Sequence, residues 1–372
     1  MKILFTGGGT AGHIFPIIAI IREMRKKHPY GEFEFFYVGP KDKFAADLLS
    51  QEKIEVKTIL AGKIRRYPSF QNIVDILFKL PIGILQAFYH VFVISPDLIF
   101  SKGGYGSIPV AISGWMLLVP IFLQESDISP GLSNRIAGKF ALEIFTSFPV
   151  EKTESFPAKK MISVGNPIRK EILKGSKEEA EKLFKLTGEK PVLLVLGGSQ
   201  GAQRINNGLL AVLTEVLESF EVIHQTGRVN FKQVKNEAEV VLTKNFVKYY
   251  HPFPFLDEKE LSNAYSAADL IISRAGAGSI FEIAAVGKPS ILVPLPGAAQ
   301  NHQVKNAYVF AENGATLVIE EPNFTPHFVL EKIKHLFSQP EKLKEMAQAA
   351  KEFSRPQAAR IIAEYIVEYL SQ

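Results

Sequence analysis

The chain has 372 residues, 47% hydrophobic and 22% charged; it is long for one core, suits two compact domains and does not have the composition of a disordered protein. With no cysteine, a disulfide framework, thiolate metal ligands and cysteine nucleophiles are excluded, and the cytoplasm is the easiest fit. A net charge of +5 points to an anionic partner, but the positive residues are scattered and no RNP-like aromatic motif or finger spacing favours nucleic acid.

The N-terminal KILFTG predicts a short buried strand without the parts of an export signal, and IFPIIAIIREMRKKH predicts a helix with a basic last turn. FEFFYVG, IEVKTIL and SPDLIFSKGG read as further strands. Before the last of these runs AGKIRRYPSFQNIVDILFKLPIGILQAFYHVFVIS, apolar but interrupted by Asp75, Lys79, Pro81 and His90, so no clean membrane span is expected. Its lead of Lys63, Arg65, Arg66, Tyr67 and Phe70 either lies on an anionic membrane surface, with Ile73, Leu77 and Leu80 as an apolar face, or is a solvated loop above a buried helix.

The same grammar restarts at PVLLVLGGSQGAQRINNGLLAVLTEVL and continues through FEVIHQTG, NFVKYYHPF, ADLIISRAGAGS and PSILVPLP. Strands alternating with helices predict an α/β chain of two Rossmann-like, doubly wound parallel-sheet domains, residues 1–160 and 161–352, facing a central cleft. The remainder, 353–372, predicts a helix with Ile361, Ile362, Tyr365, Ile366 and Leu370 on its apolar face, able to pack on either domain.

Gly7, Gly9 and Gly12 fit G-x-G-x-x-G. The second strand nevertheless ends in Gly39 where a dinucleotide site needs an acidic residue, and the turn closes with Gly12 and His13 where a P-loop needs Gly-Lys-Ser/Thr. What remains is a turn whose backbone N–H groups favour negative charge. With GGSQGA and RAGAGS it suits a diphosphate.

GGTAGHIFP, SKGGYGSIPVAI, GNPIR, LGGSQGAQRIN, HQTG and SRAGAGSIFEIAAVGKPSILVPLPGAAQNHQVKNA, in that order and over nearly the whole chain, resemble the MurG glycosyltransferases. The resemblance implies the GT-B fold, with the acceptor on the first domain and the nucleotide sugar mainly on the second. It implies inverting transfer of N-acetylglucosamine from UDP-N-acetylglucosamine to the muramyl 4-hydroxyl of undecaprenyl-linked lipid I, forming lipid II on the cytoplasmic face of the membrane. A GT-B transferase with another lipid acceptor, such as diacylglycerol, is the nearest alternative. A nucleotide-sugar-binding or scaffold protein without activity is the alternative of another class, and a nicotinamide oxidoreductase comes last.

By resemblance, Glu282 holds the ribose hydroxyls beside the helix start Ala277, Gly278 and Ser279; its other reading is a solvated first-turn glutamate that complements the helix dipole. Arg169 and Ser199 contact the diphosphate, joined by Thr10, Ala11 and Gly12 of the first turn. His302, Gln303 and Asn306 fall in the sugar-recognition segment, and Leu256 is either the apolar uracil contact or core. Gly103, Gly104, Tyr105 and Asn134 fall on the acceptor side, with Arg65, Arg66 and Phe70 toward the membrane.

A single displacement needs a base, for which His13 leads, with bracing of its loop as the other role, and Glu125 is the rival. LQESDISPGLSNR keeps Glu125 and Asn134 but departs from the family pattern HEQN…GLTN at Gln124, Ser126 and Asp127, and Asp127 turned inward would bring negative charge toward the diphosphate. No D-x-D motif occurs, so transfer is expected without a metal ion or other cofactor.

Overall fold

The computed structural model describes the chain except for residues 9–10, 29–30, 63–69, 154 and 199–200 and the side chains of Ala11 and Ala299. It divides into two units, Met1–Arg169 with Arg355–Gln372, and Lys170–Ser354.

The first unit is built on β1 (Lys2–Thr6), β2 (Glu34–Pro40), β3 (Glu55–Ile59), β4 (Leu98–Ser101), β5 (Ile121–Glu125), β6 (Glu143–Thr146) and β7 (Met161–Ser163), in the spatial order β3-β2-β1-β4-β5-β6-β7. Every pairing is parallel. The unit runs past residue 160 to Arg169 because β7 pairs with β6, Met161 beside Ile144. The second unit holds β8 (Val192–Leu196), β9 (Glu221–Gln225), β10 (Tyr250–Phe253), β11 (Leu270–Ser273), β12 (Ser290–Leu292) and β13 (Thr316–Val318), in the order β10-β9-β8-β11-β12-β13, again all parallel.

Both faces of these sheets are covered, which is why β1 and β8 read as unbroken apolar runs. In the first unit Ile3 and Phe5 point to one face, packing with Ile14 and Ile17 of α1 (Ala11–Lys27). Leu4 points to the other, with Val38, Ile99 and the Ala87 and Val91 side chains of α2 (Phe70–Ile94). Further along come α3 (Ser107–Met116), α4 (Leu132–Phe140), α5 (Gln203–Leu210), α6 (Ala277–Val286), α7 (His302–Glu312) and α8 (Ala358–Leu370). The last of these closes the first unit: Ile362 and Ile366 enter its core, and Phe122 meets Tyr369 edge to face at 5.1 Å. Ile361, expected on the buried face, is exposed, and Ala359 and Ala363 take the inward positions.

The interruptions expected to break α2 do not break it. Pro81 stands directly after the π turn, at the start of the stretch Leu80–Ile94. Asp75 and Lys79 pair at 2.6 Å across a single π turn, Asp75–Lys79. The resulting 25-residue helix is long and apolar enough to cross a membrane by length and composition alone. It lies on the sheet through Gly83, Ala87, Val91 and Ile94, while Phe70 (78%), Leu77, Leu85 and Phe92 on the outer side are exposed.

Strand order reverses between β1 and β4 in the first unit and between β8 and β11 in the second. These are the switch points at which open α/β sheets bind ligands beyond the carboxyl ends of their strands.

Candidate functional site

In the first unit, β1 turns through Gly7 and Gly8 toward α1, and β4 turns through Lys102 to Gly106 into α3. The two turns lie against each other. Lys102 N donates to Thr6 O at 2.8 Å, and a Cβ at Gly104, whose φ is +85°, would stand 2.8 Å from Gly8 N and 3.2 Å from His13 Nε2. Glycine is therefore required there by conformation and by space. Gly103 shares the positive φ, and a Cβ on it would strike the Asn134 amide. Tyr37, buried in β2, donates its hydroxyl to Gly7 O at 3.1 Å and fixes the first turn from below.

Glu125 ends β5 facing these turns and is 3% exposed. Its Oε1 accepts from Asp127 N at 2.8 Å and its Oε2 from Asn134 Nδ2 on α4 at 2.7 Å. Burial, reinforced by the Asp127 charge, pushes its carboxyl up to about 7, against the opposing effect of those hydrogen bonds and of Lys102. His13, half-buried on α1, is driven the other way: burial of the ring and the neighbouring Lys102 charge lower it to about 3. The structure thus brings His13, Gly103, Gly104, Glu125, Asp127 and Asn134 to one place. Half-buried Tyr105 follows on the same turn, its phenol raised by burial and by the charge of Asp42. Arg169 ends the unit with 5% exposure, its guanidinium 3.7 Å above the Phe15 ring.

In the second unit the HQTG segment, His224 to Gly227, ties the loops together. Gly197 N donates to Gln225 O at 3.0 Å, Leu256 N to Gln225 Oε1 at 3.0 Å, and Thr226 N to Phe253 O at 2.9 Å. Leu256 is 1% exposed, held as core. Asn206 of α5 donates its Nδ2 to Thr226 O at 3.0 Å, which turns its Oδ1 toward His224 Nε2 at 3.0 Å. An amide oxygen only accepts, so Nε2 carries the proton and Nδ1 accepts from Tyr250 Oη at 2.8 Å. Burial lowers His224 to about 3, and the ring stays neutral.

β11 leads through Arg274 to Gly276 into α6, with Ala277 buried and Gly278 and Ser279 half-buried at the helix start. Glu282 lies in the second turn of α6, not the first, where the helix dipole has little hold on it. Its Oε2 accepts from the buried Tyr265 hydroxyl at 3.1 Å. Gln303, in the first turn of α7 beside half-buried His302, accepts from Leu295 N at 2.9 Å through Oε1, and Asn306 is fully buried one turn on.

Thr10, Ser199, Arg65 and Arg66 lie outside the described residues, as does the side chain of Ala11; Gly12 is exposed at the start of α1. Among the described residues no group of three or more His, Asp and Glu side chains could hold a metal ion. The sequence does not single out Lys102, Asn166, His224 and Tyr265. Lys102 stood in SKGGYG, where the glycines drew the attention, and a lysine directly after a buried strand was the available signal.

Two family models match, the glycosyltransferase family 28 N-terminal domain over residues 3–146 and its C-terminal domain over residues 192–362. A Bacillus cereus protein named UDP-N-acetylglucosamine--N-acetylmuramyl-(pentapeptide) pyrophosphoryl-undecaprenol N-acetylglucosamine transferase 2 is 34% identical over 99% of both chains. The Clostridium kluyveri transferase of the same name, without the numeral, is 35% identical over 90% of this chain and 91% of its own. Among solved structures, MurG of Acinetobacter baumannii superposes with a TM-score of 0.74 at 24% identity over 99% of both chains. A UDP-GlcNAc 2-epimerase from Neisseria meningitidis, bound to UDP-GlcNAc, shares the fold with a TM-score of 0.69 at 16% identity, over 99% of this chain and all of its own.

Proposed function

The chain belongs to the MurG family of glycosyltransferases, and from that membership we propose that it moves N-acetylglucosamine from UDP-N-acetylglucosamine to the muramyl 4-hydroxyl of undecaprenyl-linked lipid I, forming lipid II with inversion at the anomeric carbon. The observation that carries the mechanism is Glu125, a carboxylate buried at the switch point with both oxygens oriented and its pKa raised to about 7. A base titrating near the working pH is about half ionised and still holds a proton well, the balance general-base catalysis needs. His13, lowered to about 3, is the weaker base of the two. We assign the base to Glu125 and give His13 the bracing of the two glycine turns.

As the 4-hydroxyl oxygen bonds to the anomeric carbon, its proton passes to Glu125, and the carbon–oxygen bond to the diphosphate breaks with its electron pair going to UDP. In the second unit the α6 N-terminus and Ser199 supply donors for that developing charge. Glu282, oriented by Tyr265, accepts from the ribose hydroxyls, and Gln303 and Asn306 serve the sugar. The enzyme sits as a peripheral protein on the cytoplasmic face of the membrane, where the lipid-anchored acceptor is. The support is the outer side of α2, whose exposed Phe70, Leu77, Leu85 and Phe92 form an apolar face next to the sequence that carries Arg65 and Arg66.

The test is transfer of labelled N-acetylglucosamine to a lipid I analogue, with diacylglycerol as a parallel acceptor and with chelator present. Transfer to lipid I alone is the expected result. Transfer only to diacylglycerol, or donor binding without transfer, overturns the acceptor assignment, and loss in chelator restored by magnesium overturns metal independence. Replacing Phe70, Leu77 and Leu85 by serine is expected to weaken sedimentation with anionic vesicles, and unchanged sedimentation removes the docking face.

A further inference from the structure

Of the three departures Gln124, Ser126 and Asp127, Ser126 accepts a hydrogen bond from, and Asp127 acts by its charge on, one side chain that the sequence does not single out. Lys102 follows β4 directly and is 3% exposed. Its Nζ donates to Ser126 Oγ at 2.7 Å. Ser126 in turn donates to Asn166 Oδ1 at 2.8 Å, and Gln124 Nε2 donates to Ser147 Oγ at 3.0 Å and reaches Asn166 Oδ1 at 3.4 Å. The residues that replace the family pattern form a polar network with the lysine at its head.

We propose that Lys102 is a positioning residue for the transfer: its buried ammonium is the counter-charge that keeps Glu125 ionised beside Asp127 and locks the turn after β5 through Ser126. This rests on the reading of Glu125 as the base. Two carboxylates in one buried place repel, and the repulsion raises the proton affinity of Glu125. The charges acting on Glu125 are Asp127, on the turn beyond it, and Lys102, at the end of the neighbouring strand. Asn134 on α4 adds a neutral hydrogen bond, and His13 on α1 faces Lys102 as an uncharged ring. Burial lowers the affinity of Lys102 for its proton, and the charges of Glu125 and Asp127 act against that fall, as the Lys102 charge acts against the rise at Glu125. The substrate proton goes to Glu125. Asp127, which alone would repel a diphosphate, is compensated by the same ammonium.

The sign of the effect follows. An ammonium favours the anionic form of Glu125, so removing it raises the pH at which Glu125 ionises and moves the acidic limb of kcat/KM to higher pH. With an opposite charge close by, the expected movement is about one pH unit or more. The experiment records kcat/KM against pH for the wild-type chain, Lys102→Met, Lys102→Gln, Ser126→Ala and the double variant Lys102→Met/Asp127→Asn, with thermal melting as the check on folding. Lys102→Met and Lys102→Gln are both expected to move the limb upward and to lose about fivefold or more at pH 7, with recovery at higher pH. Ser126→Ala, which keeps the charge, leaves the limb in place, and the double variant returns it toward the wild-type position. A uniform drop at every pH in both Lys102 variants, with the limb unmoved, overturns the proposal. Glu125→Gln separates it from its premise: a variant that keeps its rate and its acidic limb refutes the base itself, whatever the Lys102 variants do.

Discussion

The two switch points share a topology but not a chemistry. In the first unit the turns after β1 and β4 gather Lys102, Glu125 and His13, buried or half-buried groups whose proton affinities burial and neighbouring charge set, with the half-buried Asp127 carboxylate beside them. In the second unit the turns after β8, β9 and β10 are tied by neutral groups, backbone amides, Gln225, Asn206, Thr226 and a histidine that stays uncharged, while the turn after β11 carries Arg274, which ion-pairs with Glu321. Charge buried at a cost suits a site that must move a proton, and fixed neutral dipoles suit a site that only has to hold an anionic ligand in place. The proposed function accordingly puts proton transfer in the first unit and donor binding in the second.

The largest effect that would break this division is at Glu125. Glu125→Gln keeps the shape of the side chain and removes its basicity, so kcat is expected to fall by about 10² to 10⁴ while binding of UDP-N-acetylglucosamine, measured by calorimetry, stays within about twofold. A large loss of donor binding would place Glu125 in the nucleotide site and erase the distinction between the two regions.

The next effect sharpens the second half of the comparison through stability. His224→Phe leaves Asn206 Oδ1 and Tyr250 Oη without the ring nitrogens that now pair them. A loss of about 2 kcal/mol or more in urea unfolding is expected. His224 is lowered from 6.5 to about 3 in the folded chain, so below pH 6.5 the unfolded chain binds a proton that the folded chain does not. Its contribution is whole above pH 6.5 and is lost progressively as pH falls toward 3. The wild-type chain should therefore lose stability on acidification through this window more steeply than His224→Phe. Equal slopes would mean that His224 is protonated in the fold and that the network is charged after all.

Much of this was legible in the sequence. Buried strands with apolar runs on both faces, such as KILFT and VLLVL, are readable because no polar residue interrupts them, and the glycine turns that follow mark the switch points. β5, β6, β7 and β13 escaped because they are short and carry polar residues: Gln124 and Glu125 close β5, and MIS and TLV are too brief for a period to show. α2 was not legible as one long helix because Asp75, Lys79 and Pro81 interrupt its apolar string; in the structure Asp75 and Lys79 pair and Pro81 stands just after the π turn. In the site, residue types at motif positions could be named, but the ordering of His13 and Glu125 as bases could not. That ordering depends on how deeply each is buried and on Lys102, distant from both in sequence, being folded against them.

The smallest effect tests the donor side at a single hydroxyl. Tyr265 is buried, and its Oη donates to Glu282 Oε2 at 3.1 Å, which holds the carboxylate in one orientation on the second turn of α6. If Glu282 receives the ribose hydroxyls, Tyr265→Phe loosens a ligand-binding group without removing it. One hydrogen bond of this kind is worth about 0.5 to 1.5 kcal/mol, so KM for UDP-N-acetylglucosamine should rise roughly threefold to tenfold with kcat unchanged, because binding before and at the transition state is weakened alike. A glutamate that merely complements its helix would leave KM where it was. A fall in kcat at constant KM would put Glu282 in the chemical step and carry the chemistry into the second unit.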